Sequence, residues 1–207
     1  MHEVVIPAAG VALPGSVLAP VEPLGIVVFA HGSGSSRSSP RNARVADALN
    51  QAGLATLLFD LLTDDEARDR ANVFDIPLLA ERLAAATSWV EAHPDLRVLP
   101  IGYFGASTGG AAALWAAAEH GRVGAVVSRG GRPDLAAPRL ADVRAPTLLI
   151  VGGRDEVVLE LNRDALESLT CEAQLAVVEG ATHLFEEPGA LEEVSRLACG
   201  WFAQHLA

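Results

Sequence analysis

Six apolar runs, at residues 25–30, 54–59, 98–104, 123–128, 146–151 and 173–178, most tightly constrain what this chain can fold into. Gly25-Ile26-Val27-Val28-Phe29-Ala30 is apolar without alternation, the mark of a strand covered on both faces. Helical patterns lie between the runs: Val45, Leu49 and Ala52 in one, and Ile76, Leu79, Leu83, Ala86 and Val90 in the next. Further helices are predicted over 110–118, near 156–170 and from about Pro188, the last carrying Leu191, Val194, Ala198 and Trp201. Gly53 and the residue before Pro94 mark two stops. Strand–helix alternation with short loops implies right-handed crossovers and a mainly parallel sheet. Residues 2–6 and 11–19 add two β-prone runs as a hairpin or a pair of edge strands, with Pro14-Gly15 as a bend or bulge. Residues 61–74 read as a polar loop. The expected fold is a three-layer α/β/α sandwich of about eight strands, one domain over residues 1–207.

In such sheets ligands sit at the carboxyl ends of the strands. Four of those ends carry reactive or glycine-rich residues: His31-Gly32-Ser33-Gly34, Ser107, Asp155 and His183. Gly105-Ala106-Ser107-Thr108-Gly109 stands between a strand and a small-residue helix, so Ser107 is predicted on a tight corner. The residues two before and two after it are small enough for backbone to pass close by. A serine hydroxyl is weak at neutral pH and needs a base, for which imidazole is suited. Of six histidines, His2 and His205 lie at chain ends, His93 and His120 end helices, and His31 opens the glycine loop. His183 is left as the base. Asp155 is the favoured acid, with Asp134 its rival and an N-cap role for Asp155 the plainer alternative. The amides of Thr108 and Ser33 are candidates for an oxyanion hole. His31, Gly32, Arg129 and Arg132 are candidate substrate contacts, the arginines by bidentate grip on a carboxylate.

Composition narrows the chemistry further. All fifteen basic residues are arginine, so no Walker A lysine, Schiff-base lysine or Ser-Lys dyad can form. A net charge of −11 argues against nucleic acid and anionic membranes as partners. Cys171 and Cys199 lie far apart, outside metal-like spacing. No metal or other cofactor is expected. No leader-like N-terminus or membrane-length apolar run is evident, so a soluble, cytoplasmic protein acting on a small molecule is expected. A homo-oligomer is compatible with the sequence.

Together, His31-Gly32-Ser33-Gly34, Gly105-Ala106-Ser107-Thr108-Gly109, Gly152-Gly153-Arg154-Asp155 and Gly180-Ala181-Thr182-His183 resemble the strand-end motifs of α/β-hydrolases. The chain is most similar to dienelactone-hydrolase-like proteins without a cap domain. The resemblance implies a Ser107-Asp155-His183 triad and hydrolysis of small esters, lactones or thioesters. Dienelactone hydrolases use a cysteine where this chain has Ser107, which shifts the expectation toward a serine esterase. Two other readings compete: a non-catalytic hydrolase-fold binding protein, and a dinucleotide-dependent oxidoreductase using Gly32-Ser33-Gly34 and Asp60. The second is weakened because Arg37 stands at the third glycine of that motif.

Overall fold

The computed structural model describes residues 2–206. An eight-stranded sheet runs through it. Its strands are β1 (His2–Ala8), β2 (Val11–Leu18), β3 (Ile26–Ala30), β4 (Ala55–Phe59), β5 (Ile101–Ala106), β6 (Val123–Arg129), β7 (Thr147–Gly152) and β8 (Ala173–Val178). The spatial order is β1-β2-β4-β3-β5-β6-β7-β8. β1–β2 and β2–β4 pair antiparallel, and the other five pairs are parallel. The central strands β3, β5 and β7 are buried at every position, as continuous apolar runs require.

The described residues form six α-helices, α1 (Pro40–Gln51), α2 (Arg70–Val73), α3 (Ile76–Ala92), α4 (Thr108–Glu119), α5 (Glu156–Ser168) and α6 (Ala190–Leu206), and all but the short α2 pack on the two faces of the sheet. α3 and α4 pack with Tyr103, Val126 and Leu149 on one face, while α1 and α6 pack with Phe29, Phe104 and Ile150 on the other. α1 starts where Ser39 accepts the amide of Asn42, with Pro40 in the first turn, and ends before Gly53, whose φ of +86° only glycine adopts easily. Two small residues let α6 lie on the sheet. A Cβ at Gly102 would meet the Phe202 ring at 2.6 Å, and one at Gly124 would meet Leu206 at 2.8 Å.

Three local expectations are corrected. Pro14-Gly15 makes no bend: β1 and β2 pair without interruption from His2↔Val17 to Ala8↔Val11. The β2–β4 ladder spans Gly15–Leu18, and just past its end the Pro14 carbonyl still accepts the Asp60 amide at 3.0 Å, so the proline sits at the margin of the ladder rather than inside it. The strand expected over 98–104 begins at Ile101, since Val98 is exposed. Residues 61–74 are not a uniform polar loop. Leu61 and Leu62 are buried, Glu66–Arg68 forms a 3₁₀ turn, and α2 follows. The buried Arg82 of α3 anchors this segment, donating to the Ala8 carbonyl at 2.6 Å and to Glu66 at 2.9 Å.

Candidate active site

Ser107 has φ +52° and ψ −120°, a conformation that costs a non-glycine residue about 1–3 kcal/mol and persists only where neighbours impose it. They do so from both sides. The Ser107 amide donates to the Arg129 carbonyl at 3.2 Å, and its own carbonyl accepts from Gly110 and Arg132 at 3.0 and 3.1 Å. The glycines that flank the corner have no room for a side chain. A Cβ on Gly105 would drive into Gly110, and one on Gly109 into the Ala30 backbone. A Cβ on Gly32 would meet the Ala106 carbonyl and the Ser107 Cβ at 3.0 Å, so Gly32 is where the loop after β3 passes over the corner. Thr108 opens α4, and its amide therefore has no acceptor within the helix.

His183 lies in the loop after β8, which is braced by Thr182 donating from its amide and hydroxyl to Glu187 at 3.1 and 2.7 Å. Its Nδ1 stands 2.6 Å from Asp155 Oδ2, leaving Nε2 as the acceptor. Asp155 is the N-cap residue of α5 by position, yet its side chain makes no capping bond; it is spent on His183. The rival acid is already engaged, since Arg132 grips Asp134 through two bonds of 2.8 and 2.7 Å. Ser107 and His183 line one cavity of about 200 Å³, with Gly32, Ser33, Arg41 and Arg129 around them. A second cavity of about 430 Å³ adjoins it across Gly32, Ser33 and Ser35, and Thr108 opens onto that side.

The remaining candidates separate. Both ring nitrogens of His31 are engaged within the chain, Nδ1 with the Gly32 carbonyl at 3.1 Å and Nε2 as acceptor of the Leu61 amide at 3.0 Å, while the residue lines the larger cavity. Burial lowers its pKa, so it is a neutral strut tying the β3 loop to the β4 loop. Arg132 faces Asp134 rather than the cavity, and the expected contact with a substrate is corrected. Arg129, buried at 8% exposure, does reach the cavity wall. Asp60 accepts the Arg37 amide at 2.7 Å and braces residues 31–39, which occupies the acid a dinucleotide reading would need for a ribose. Sequence reasoning passed over Arg41 and Asn42. Both follow Pro40 at the start of α1, on the rim that carries the β3 loop, and that position was the available signal. Cys171 and Cys199 are free and half-buried, with burial pushing both thiols up.

A mainly parallel eight-stranded sheet, helices on both faces, and a strained serine corner at the carboxyl end of its central strands define an α/β-hydrolase. The chain belongs to the dienelactone hydrolase family, which matches residues 13–204. Its structure is similar to a dienelactone hydrolase from Anabaena variabilis at 55% identity and a TM-score of 0.96, over 100% of this chain and 98% of that one. Est1E from Butyrivibrio proteoclasticus shares the fold at 17% identity and a TM-score of 0.84, over 99% of this chain and 98% of that one. A Mycobacterium tuberculosis protein provisionally named a phosphoribosyl transferase is 62% identical over 99% of this chain but 46% of its own length. The chain thus spans about half the length of that relative. Among the described residues no helix is long and apolar enough to cross a membrane.

Proposed function

We propose that this chain is a serine hydrolase that cleaves small esters, lactones or thioesters through an acyl-enzyme. The observation that carries the reading is the 2.6 Å contact between Asp155 and His183 on the cavity that also holds Ser107. Asp155 fixes the imidazole with its proton on Nδ1 and stabilises the imidazolium once formed. His183 Nε2 takes the hydroxyl proton as Ser107 Oγ bonds to the carbonyl carbon. The carbonyl electrons move to oxygen, where the amides of Thr108 and Ser33 meet the charge. The C–O or C–S bond then breaks, and the imidazolium gives its proton to the departing alcohol or thiol. Water, deprotonated by the same nitrogen, releases the acid and restores Ser107. No cofactor enters this scheme.

The transferase name belongs to a Mycobacterium protein of which this chain covers 46%, and the dienelactone hydrolase family match over residues 13–204 favours the hydrolase reading. The test is hydrolysis of p-nitrophenyl acetate. Ser107→Ala should keep its fold and lose activity by about 10⁵-fold or more. A fully active Ser107→Ala protein overturns the proposal.

A further inference from the structure

Among the described residues Arg129 has no counterion. Its Nε and Nη1 are buried without a hydrogen-bond partner there, and the Phe185 ring lies 6.0 Å from the guanidinium carbon. An unpaired buried cation is costly unless something outside the chain completes it. Arg41, a second cation, adds repulsion; burial and Arg41 together lower the Arg129 pKa to about 10. Arg41 spends Nη1 on the exposed Glu186 at 3.2 Å but leaves Nε buried and unpartnered. Asn42, 2% exposed, adds an unpartnered amide oxygen, which exchanges with the amide NH₂ by a simple flip. All three side chains line the cavity that holds Ser107 and His183.

The adjoining cavity differs in charge. Leu61, Leu62, Ala67, Val73 and Leu79 line one part of it, and its charged residues are Asp60, Asp64 and Arg37, the arginine being already paired with Glu3 at 2.8 Å and Asp60 at 3.4 Å. Resting on the serine-hydrolase reading above, mechanism then orients the substrate. The leaving group departs toward the imidazole that protonates it, and His183 lies in the arginine-lined cavity. The acyl chain lies beyond the oxyanion site, where Thr108 opens onto the apolar cavity.

We infer that the Arg129–Arg41 cavity is an anion subsite for the leaving group, so the substrate is an ester or thioester joining an apolar acyl group to an alcohol or thiol that bears a carboxylate or phosphate. The test measures kcat/KM for the butyrate esters of phenol, 3-hydroxybenzoate and 3-hydroxyphenyl phosphate, with phenyl hemisuccinate carrying its charge on the acyl side. The protein should favour at least one anionic leaving group over phenol by about tenfold or more, and should disfavour the hemisuccinate. The better of the two anionic esters tells carboxylate from phosphate. Arg129→Met should bring the charged-to-neutral ratio to about one, with Arg129→Lys between. Arg41→Gln, at a half-exposed helix position, should lower the same ratio several-fold and covers the case in which Arg129→Met does not fold. Equal rates on all three leaving groups, or a preference for the hemisuccinate, overturn the subsite while leaving the serine hydrolase intact. Hydrolysis of none of these esters overturns both.

Discussion

His183 Nδ1 and Asp155 Oδ2 stand 2.6 Å apart although 28 residues separate them in the chain. β7 and β8 are neighbours, paired from Thr147↔Ala173 to Gly152↔Val178, and each delivers one partner just past its end. The loops are tied as well: the Arg154 amide donates to the Ala181 carbonyl at 2.9 Å. Asp155→Asn should therefore reduce ester hydrolysis by about 10³–10⁴-fold through the wrong tautomer. Asp134→Asn should have little effect on turnover, since Asp134 meets only Arg132. A larger loss in Asp134→Asn would assign the acid to the other strand end.

The His31 strut predicts a pH dependence of stability. Burial holds its pKa below the ordinary 6.5, so the folded state binds fewer protons there than the unfolded chain. That contribution is whole above pH 6.5 and is lost as pH falls through the window beneath it. Protonation also ends the acceptance of the Leu61 amide. Thermal melts between pH 8 and 5 should show a steeper fall for the parent protein than for His31→Gln. Identical slopes would mean that His31 titrates as it does when unfolded.

Closeness at the serine corner predicts a sharp positional contrast. Gly109→Ala places a Cβ against the Ala30 backbone and should cost about 1–3 kcal/mol, with activity falling as Ser107 shifts. At Gly121 nothing lies within 4 Å of an added Cβ. Gly121→Ala should leave both melting and hydrolysis near the parent values, and urea titration of the two variants checks the difference.

Beneath the sheet, Tyr103 and Thr87 hydroxyls meet at 2.6 Å in full burial. Thr87 also bonds the Leu83 carbonyl at 3.0 Å, whereas among the described residues the Tyr103 hydroxyl has Thr87 alone. Tyr103→Phe should cost about 1 kcal/mol, and Thr87→Val more, about 1–3 kcal/mol, because it strands the phenol. Equilibrium unfolding in urea distinguishes the order.

Long apolar runs made the parallel sheet legible from sequence, because a strand buried on both faces has no polar positions to disguise it. The serine corner was legible for a related reason: Gly105 and Gly109 are forced by contacts with Gly110 and Ala30 that only the fold creates. Choosing Asp155 over Asp134 rested on strand adjacency, which pattern reading suggests but does not establish; the pairing of β7 with β8 supplies it. Side-chain partners were beyond reach. Nothing in the string shows that Arg132 is consumed by its neighbour Asp134 while Arg129, three residues earlier, turns inward with no acid partner among the described residues. The place of His31 at a strand end puts it on the cavity but does not reveal that its nitrogens are held by the Gly32 and Leu61 backbone.

The proposed activation of Ser107 by His183 and Asp155 is tested by treating the parent protein with a fluorophosphonate, followed by peptide mass spectrometry. One covalent adduct on Ser107 is expected, lost in Ser107→Ala and strongly slowed in His183→Ala. An unmodified Ser107 in a folded protein, or labelling that proceeds at the same rate without His183, would contradict it.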